Sequence, residues 1–374
     1  MAYVKSRGAV QAREASFADY DGIAALETRN GLLAKPAEEW QHLWLDNPAY
    51  RAVGGQWPIG WVLEDQDGKI VGSFGNIPLL FEFRGRPLIA TSGRGWVVDP
   101  KYRGYAILPL NYFLNQKNVD LYLNTTANAE SSEAFSVFQA SRVPVGKWDE
   151  SIFWITAYRG FVQSCLLMRS TPMPALASYP ASVTLSLVDR LIGRNRRKIP
   201  SALNVSVCDT FDKRFDTFWE QLRNSTRRLL SLRTCDVLNW HFKYALDRKE
   251  LLILTAGRNG SLEAYAMFGR QDNEKFGLKR MRLVDFQCLS EAAPSIFLLM
   301  LRWALQRCAQ DGLHMLEMTG IRPDQMAAVE QLSPYRRKLT AWGYLYKTND
   351  PQLAEVLKEP SAWDPTCYDG DASL

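Results

Sequence analysis

A chain of 374 residues, 47% apolar and 12% aromatic, can bury more than one core, so two domains are the default expectation. Its 45 basic and 40 acidic residues leave a net charge of +5 spread along the sequence, which speaks against a dedicated nucleic-acid binder. Six cysteines without a CxxC pair, joined by three histidines, give no support for a metal site, and no run of about 18 uncharged apolar residues occurs to span a membrane.

The N-terminal stretch MAYVKSRGAVQARE lacks the apolar segment of a secretory signal, and the isolated cysteines read as reduced thiols; a cytoplasmic location is expected. A short strand at the end of that stretch leads to a helix capped near Ser16 and stopped by Gly31. A second helix opens at Pro36, where a missing N–H is harmless. Two apolar strands then fold about Asp67-Gly68, a hairpin signal. A further strand, LIATSGRGWVVDP, feeds the helix ILPLNYFLNQ, followed by the strand VDLYLNTT, the helix AESSEAFSVFQASR and a closing strand around SIFWITAY.

Residues 166–203 read as a connector with a solvated basic run, GRNRRK, at its end; a weak peripheral contact with a membrane surface is the alternative for its apolar part. From Asn204 the order of elements repeats: strand, two helices, a hairpin turning on Asn259-Gly260, then strand, helix, strand, helix, strand. Two copies of one mixed α/β unit (α+β in class), each a twisted sheet flanked by helices, are therefore expected at 1–165 and 204–374. The tail, SAWDPTCYDGD, is expected to fray.

The turn after VVDP combines several features. A strand running into a helix exposes amides that have no partner inside the helix, and the helix dipole adds positive character there. Gly104 allows close approach, and Lys101 and Arg103 add fixed charge, so the turn reads as an anion site. Val98, Pro100, Arg103 and Gly104 also fit a V-x-P-x-x-R-G pattern that resembles the coenzyme A diphosphate loop of the GNAT N-acetyltransferase superfamily, although Ala106 and Leu108 stand where later glycines are usual. The resemblance implies two tandem GNAT-like domains, the second degenerate because LVDFQCLSEAAP lacks the basic residue and the glycine. It further implies acetyl-CoA or another acyl-CoA as co-substrate, with Lys101, Arg103, Gly104, Tyr105, Ala106 and Ile107 around the diphosphate. Asn128, Ser131 and Phe135 would flank the pantetheine arm, and backbone at Trp96, Val97 and Val98 would polarise the acyl carbonyl.

Such a reaction moves the acyl group to an amine or hydroxyl and needs a base. Glu64 and Glu82 on the hairpin, Asp99 at the loop entrance and Asp285 in the second half are candidates, Asp285 because its apolar surroundings demand a role or a partner such as Arg94 or Arg282. The acceptor implied is a small molecule or saccharide, such as an envelope precursor by fold analogy alone, held between the domains. A Fem-like aminoacyltransferase and a non-catalytic binding protein of the same fold are the alternatives.

Overall fold

The computed structural model describes residues 10–194, 204–258, 260–289, 293–339 and 343–374. Asn259, Trp342 and the basic run beyond Arg194 lie outside the described residues.

In the first half the elements are β1 (Gln11–Glu14), α1 (Tyr20–Arg29), α2 (Ala37–Leu45), α3 (Pro48–Ala52), β2 (Gly60–Glu64), β3 (Ile70–Phe83), β4 (Arg86–Val98), α4 (Ile107–Leu114), β5 (Leu121–Ala127), α5 (Ala129–Val137), β6 (Ser141–Arg142) and β7 (Glu150–Ile155). A helical hairpin follows, α6 (Tyr158–Met168) and α7 (Pro174–Leu191), where a connector was expected. The second half holds β8 (Asn204–Cys208), α8 (Lys213–Ser225), β9 (Leu229–Ser231), α9 (Cys235–Asp247), β10 (Leu251–Gly257), β11 (Ala264–Arg270), β12 (Arg280–Cys288), α10 (Ala293–Gln310), β13 (Met315–Thr319), α11 (Pro323–Glu330), β14 (Tyr335–Lys338), β15 (Gly343–Lys347) and α12 (Pro351–Val356).

Local chemistry sets many of these bounds. Asn47, Asn128, Asp212 and Thr234 each accept a backbone N–H at a helix start, a contact worth about 1 kcal/mol apiece. Gly68, at φ +76°, closes the β2–β3 turn in a conformation that L side chains resist.

The strands form two mixed sheets, and the fold class read from the sequence holds. Among the described residues the first runs β1-β2-β3-β4-β5-β15-β6, with β9 added beside β3, and the second runs β14-β7-β13-β12-β11-β10-β8. One feature departs from the sequence reading: the closing strands are exchanged. β7 inserts between β13 and β14 in the second sheet, and β15 inserts between β5 and β6 in the first. Ile152 and Trp154 of β7 are buried in the second core, while Tyr344 and Leu345 of β15 are buried in the first. An apolar strand satisfies either sheet equally by its side-chain alternation, so the order of elements could not say which sheet it joins.

The tail also differs from expectation. Residues 363–369 fold into the molecule because they carry apolar anchors: Trp363 is 2% exposed, Tyr368 2% and Cys367 4%. Tyr368 donates to the Leu232 carbonyl at 2.7 Å, and Arg322 pairs with Asp364.

Candidate functional site

β4 pairs with β3 along its length, but the register slips between Ser73 and Gly75: two residues of β4, Gly95 and Trp96, face the single Phe74. Gly95 takes φ +61° at this bulge. A bulge bends its strand, and the consequence is visible on the other side of β4. There the parallel strand β5 pairs only from Ala90–Leu121 to Ser92–Leu123. Beyond Ser92 the two strands part, leaving the edge from Gly93 to Val98 without a ladder partner on that side among the described residues. Trp96 lies on this stretch with its ring against Phe74 and Phe135, and its indole nitrogen is buried without a hydrogen-bond partner. A buried orphan donor is costly unless something reaches it.

The open edge ends at the turn picked out by sequence. Asp99 is tied down by Arg29 at 2.8 Å and by Asn30 at 2.9 Å, and the Arg29 hydrogen bond holds its carboxyl below the usual range. Asp99 thus anchors the turn to α1. Pro100–Tyr105 form a 3-10 turn, with the Tyr102 amide on Asp99 O and the Ala106 amide on Arg103 O. These bonds use some of the amides that the sequence reading left free. As the first residues of α4, Ile107 and Leu108 have no carbonyl one turn back inside the helix. The turn is open: Lys101, Arg103, Gly104 and Tyr105 are exposed, and a methyl group at Gly104 would meet nothing within 4 Å. Lys101 leans over the Tyr102 ring at 5.2 Å, whereas Arg103 has no partner among the described residues.

Asn128 caps α5, its side chain accepting from the Ser131 amide at 2.8 Å; Phe135 is 1% exposed, packed between Trp96 and Phe113. Asn128 and Ser131 stand at the mouth of the β4–β5 opening, since α5 begins where β5 ends.

The other three carboxylates put forward as bases, Glu64, Glu82 and Asp285, are not brought together. Glu82 pairs across from Pro87 at the far end of the β3–β4 hairpin, ten residues or roughly 33 Å from the Gly72–Val98 pair beside the turn, and Arg223 lies 3.4 Å away. Glu64 ends β2 and binds Arg13 at 2.7 Å. Asp285 is 1% exposed and fully partnered: Arg233 donates to both its oxygens at 2.8 and 3.2 Å, and the Tyr265 hydroxyl donates at 2.8 Å. The expectation of an arginine partner was right in kind, but the partner is Arg233. Arg282 binds Glu317 at 2.9 Å, and Arg94 approaches Glu27 at 3.7 Å.

Glu27 is the carboxylate that the sequence reading passed over. It lies on α1, 4% exposed, directly above the bulge; a methyl group on Gly95 would sit 2.8 Å from its Oε1. Burial pushes its carboxyl above the ordinary value, against the opposing pull of Arg94 and Lys35. A narrow cavity beside it is lined by Ser73, Gly95, Arg94 and the indoles of Trp40 and Trp61. The signal was present in the sequence: Glu27 follows Ile23 by four residues and Leu26 by one, on the buried face of α1.

The tail reaches the same opening. Asp371 donates its amide to Ser92 Oγ at 3.2 Å, and Thr125 and Thr126 of β5 donate hydroxyls to its carboxylate at 2.8 and 3.0 Å. Gly370 sits so close that a methyl group there would come within 2.6 Å of Thr125. The tail therefore closes the narrow end of the opening, where β4 and β5 are last paired. In the second sheet β12 and β13 pair only from Arg280–Met315 to Arg282–Glu317, and residues 364–367 line the space beyond. One stretch of chain thus occupies the second opening and only the base of the first.

Beside it, Asp369 lies 3.6 Å from Arg233 and accepts from Tyr344 at 3.3 Å. Burial, outweighing Arg233, pushes its carboxyl from 3.8 up to about 7. A pKa raised by folding means that the native state binds the proton more readily, so the stabilisation is complete at low pH and is lost as pH rises through about 7. Asp369→Asn is expected to flatten that fall in unfolding free energy between about pH 4 and 7, measured by urea titration at several pH values.

No family sequence model matches the chain, and no curated protein sequence matches it. Solved structures do. A GCN5-related N-acetyltransferase from Anabaena variabilis superposes with a TM-score of 0.54 at 13% identity, over 91% of this chain and 73% of that one. An N-myristoyltransferase from Saccharomyces cerevisiae with bound myristoyl-CoA gives 0.57 at 10% identity, over 99% and 85%. A putative acetyltransferase from Pyrococcus horikoshii gives 0.50 at 12%, over 99% and 98%. The chain has the tandem GNAT fold.

Proposed function

We propose that the protein transfers an acyl group from a coenzyme A thioester to an amine or hydroxyl. The observation that carries this reading is the opening between β4 and β5, which ends at an exposed turn bearing the unpaired Arg103. Arg103 and Lys101, with the start of α4, bind the diphosphate; Arg103 does so with a planar fork suited to phosphate oxygens. The free edge from Gly93 to Val98 pairs with the amides of the pantetheine arm as an added strand would, with Asn128 and Ser131 alongside, and Trp96 gives its orphan N–H to a carbonyl of that arm. A backbone N–H of the same edge polarises the acyl carbonyl.

The acceptor enters from the side of α1 and α2. Its nitrogen or oxygen attacks the acyl carbon, Glu27 takes the proton that the nucleophile loses, and the C–S bond breaks to release the coenzyme thiolate, which is then protonated. Asp371 at the closed end of the opening favours a short acyl group, acetyl above all. A small amine or a saccharide hydroxyl held between the two halves is the acceptor class. The fold relatives include an N-acetyltransferase and an N-myristoyltransferase, which supports the reading.

The test is calorimetry with acetyl-CoA. Wild-type protein is expected to bind in the micromolar range, and Arg103→Glu to weaken binding by about tenfold or more while the far-UV spectrum is kept. Absence of heat with folded wild-type protein at high micromolar coenzyme would overturn the reading.

A further inference from the structure

The α6–α7 hairpin is turned inside out with respect to an ordinary surface helix. Ser178, Ser182 and Asp189 of α7 face the protein and are buried, while Leu176, Tyr179, Val183, Leu187 and Leu191, at spacings of three and four, form a stripe on the outside. Leu176 is 71% exposed and Leu191 86%. Of the 18 large apolar side chains that are exposed among the described residues, ten fall between Leu167 and Ile192, so this is one patch and not scatter. The polar inner face is satisfied: Asp189 takes Arg194 at 2.6 Å and the hydroxyls of Tyr158 and Tyr335 at 2.8 and 2.6 Å.

The charge pattern says what covers the stripe. Between Tyr158 and Arg194 the sequence has one acid, Asp189, and it is the buried one. Arg159, Arg169 and Arg190 are exposed and have no ionic partner among the described residues. An apolar stripe with cations at its margins and no exposed anion matches an anionic bilayer surface, into which leucines insert while arginines meet phosphates. A second copy of the chain fits poorly, since a twofold contact would bring these arginines against one another with no carboxylate between them. No described helix is long and apolar enough to cross a membrane, so the hairpin lies on the surface.

We propose that the outer face of α7 docks the protein onto an anionic lipid bilayer. This does not rest on the acyl-transfer reading, because none of these residues touches the β4–β5 opening. The test is flotation of the full-length protein with phosphatidylcholine vesicles, with and without phosphatidylglycerol. Wild-type protein is expected to float with the mixed vesicles and to be released by high salt. Leu176→Glu/Val183→Glu/Leu187→Glu is expected to cut partitioning by on the order of tenfold per side chain, and Arg159→Gln/Arg190→Gln by roughly fivefold per charge. These side chains point to solvent, so circular dichroism and acetyl-CoA calorimetry should match wild type. Equal flotation with neutral vesicles alone, or full retention by the triple glutamate variant, would overturn the proposal. So would a wild-type dimer in analytical ultracentrifugation that the triple variant disperses in the absence of any vesicle binding.

Discussion

Glu27→Gln is expected to lower kcat/KM for acyl transfer by about 10²–10⁴-fold while leaving coenzyme affinity unchanged. The amide keeps the size of the side chain above Gly95 but cannot accept a proton from the attacking nucleophile. With Glu27 as the proposed base, the acidic limb of the wild-type pH–rate profile should sit above the ordinary carboxylate value of 4.5, since burial raises the Glu27 carboxyl and only the deprotonated form could take the proton. The rate therefore climbs as pH rises through that raised value, and the variant lacks this limb. A variant with near wild-type turnover, or one that loses coenzyme binding along with activity, would remove Glu27 from the role of base.

The second large effect is on stability. Arg233→Met is expected to cost about 3–5 kcal/mol in urea unfolding, because it strands Asp285 and leaves Asp369 without its cation in a fully buried place. Arg233 also donates to the Ser231 carbonyl at 2.7 Å, so a buried backbone acceptor loses its donor as well. Adding Asp285→Leu to Arg233→Met should recover a good part of the loss, as removing both members of a buried pair often does. Asp285→Asn should cost stability yet keep turnover per folded molecule. A stable Asp285→Asn protein without activity would give Asp285 a part in the reaction and not in the framework alone.

How much of this could be read from the sequence follows from the range of each interaction. Turns such as Asp67-Gly68 act within a few residues, so their signatures were plain. The VVDPKYRGYA turn was legible for the same reason: strand, proline, cation and glycine are neighbours in the chain. The bulge at Gly95 was not, since it exists only as a mismatch with Ser73–Gly75 on another strand. Glu27 was visible only as a polar residue on the apolar face of α1, and nothing local ties that face to the bulge on β4. For Asp285 the need for a partner was clear from its apolar neighbours, but the partner sits 52 positions away on a segment that no local pattern ties to β12. The tail looked polar and turn-rich, and the burial of Tyr368 and Cys367 depends on a groove made by both halves.

The traded strands β7 and β15 have a consequence for how the molecule comes into being. During synthesis the first sheet is left gapped between β5 and β6 until residues 343–347 emerge, long after its other central strands exist. A ribosome-bound fragment ending at residue 203 would hold an unfilled slot in one sheet and, in β7, a spare strand with no sheet to join. Such a nascent chain has every reason to lean on a chaperone. Once the exchange is made, neither lobe can melt without pulling a strand out of the other, and heat should take the protein apart in one step.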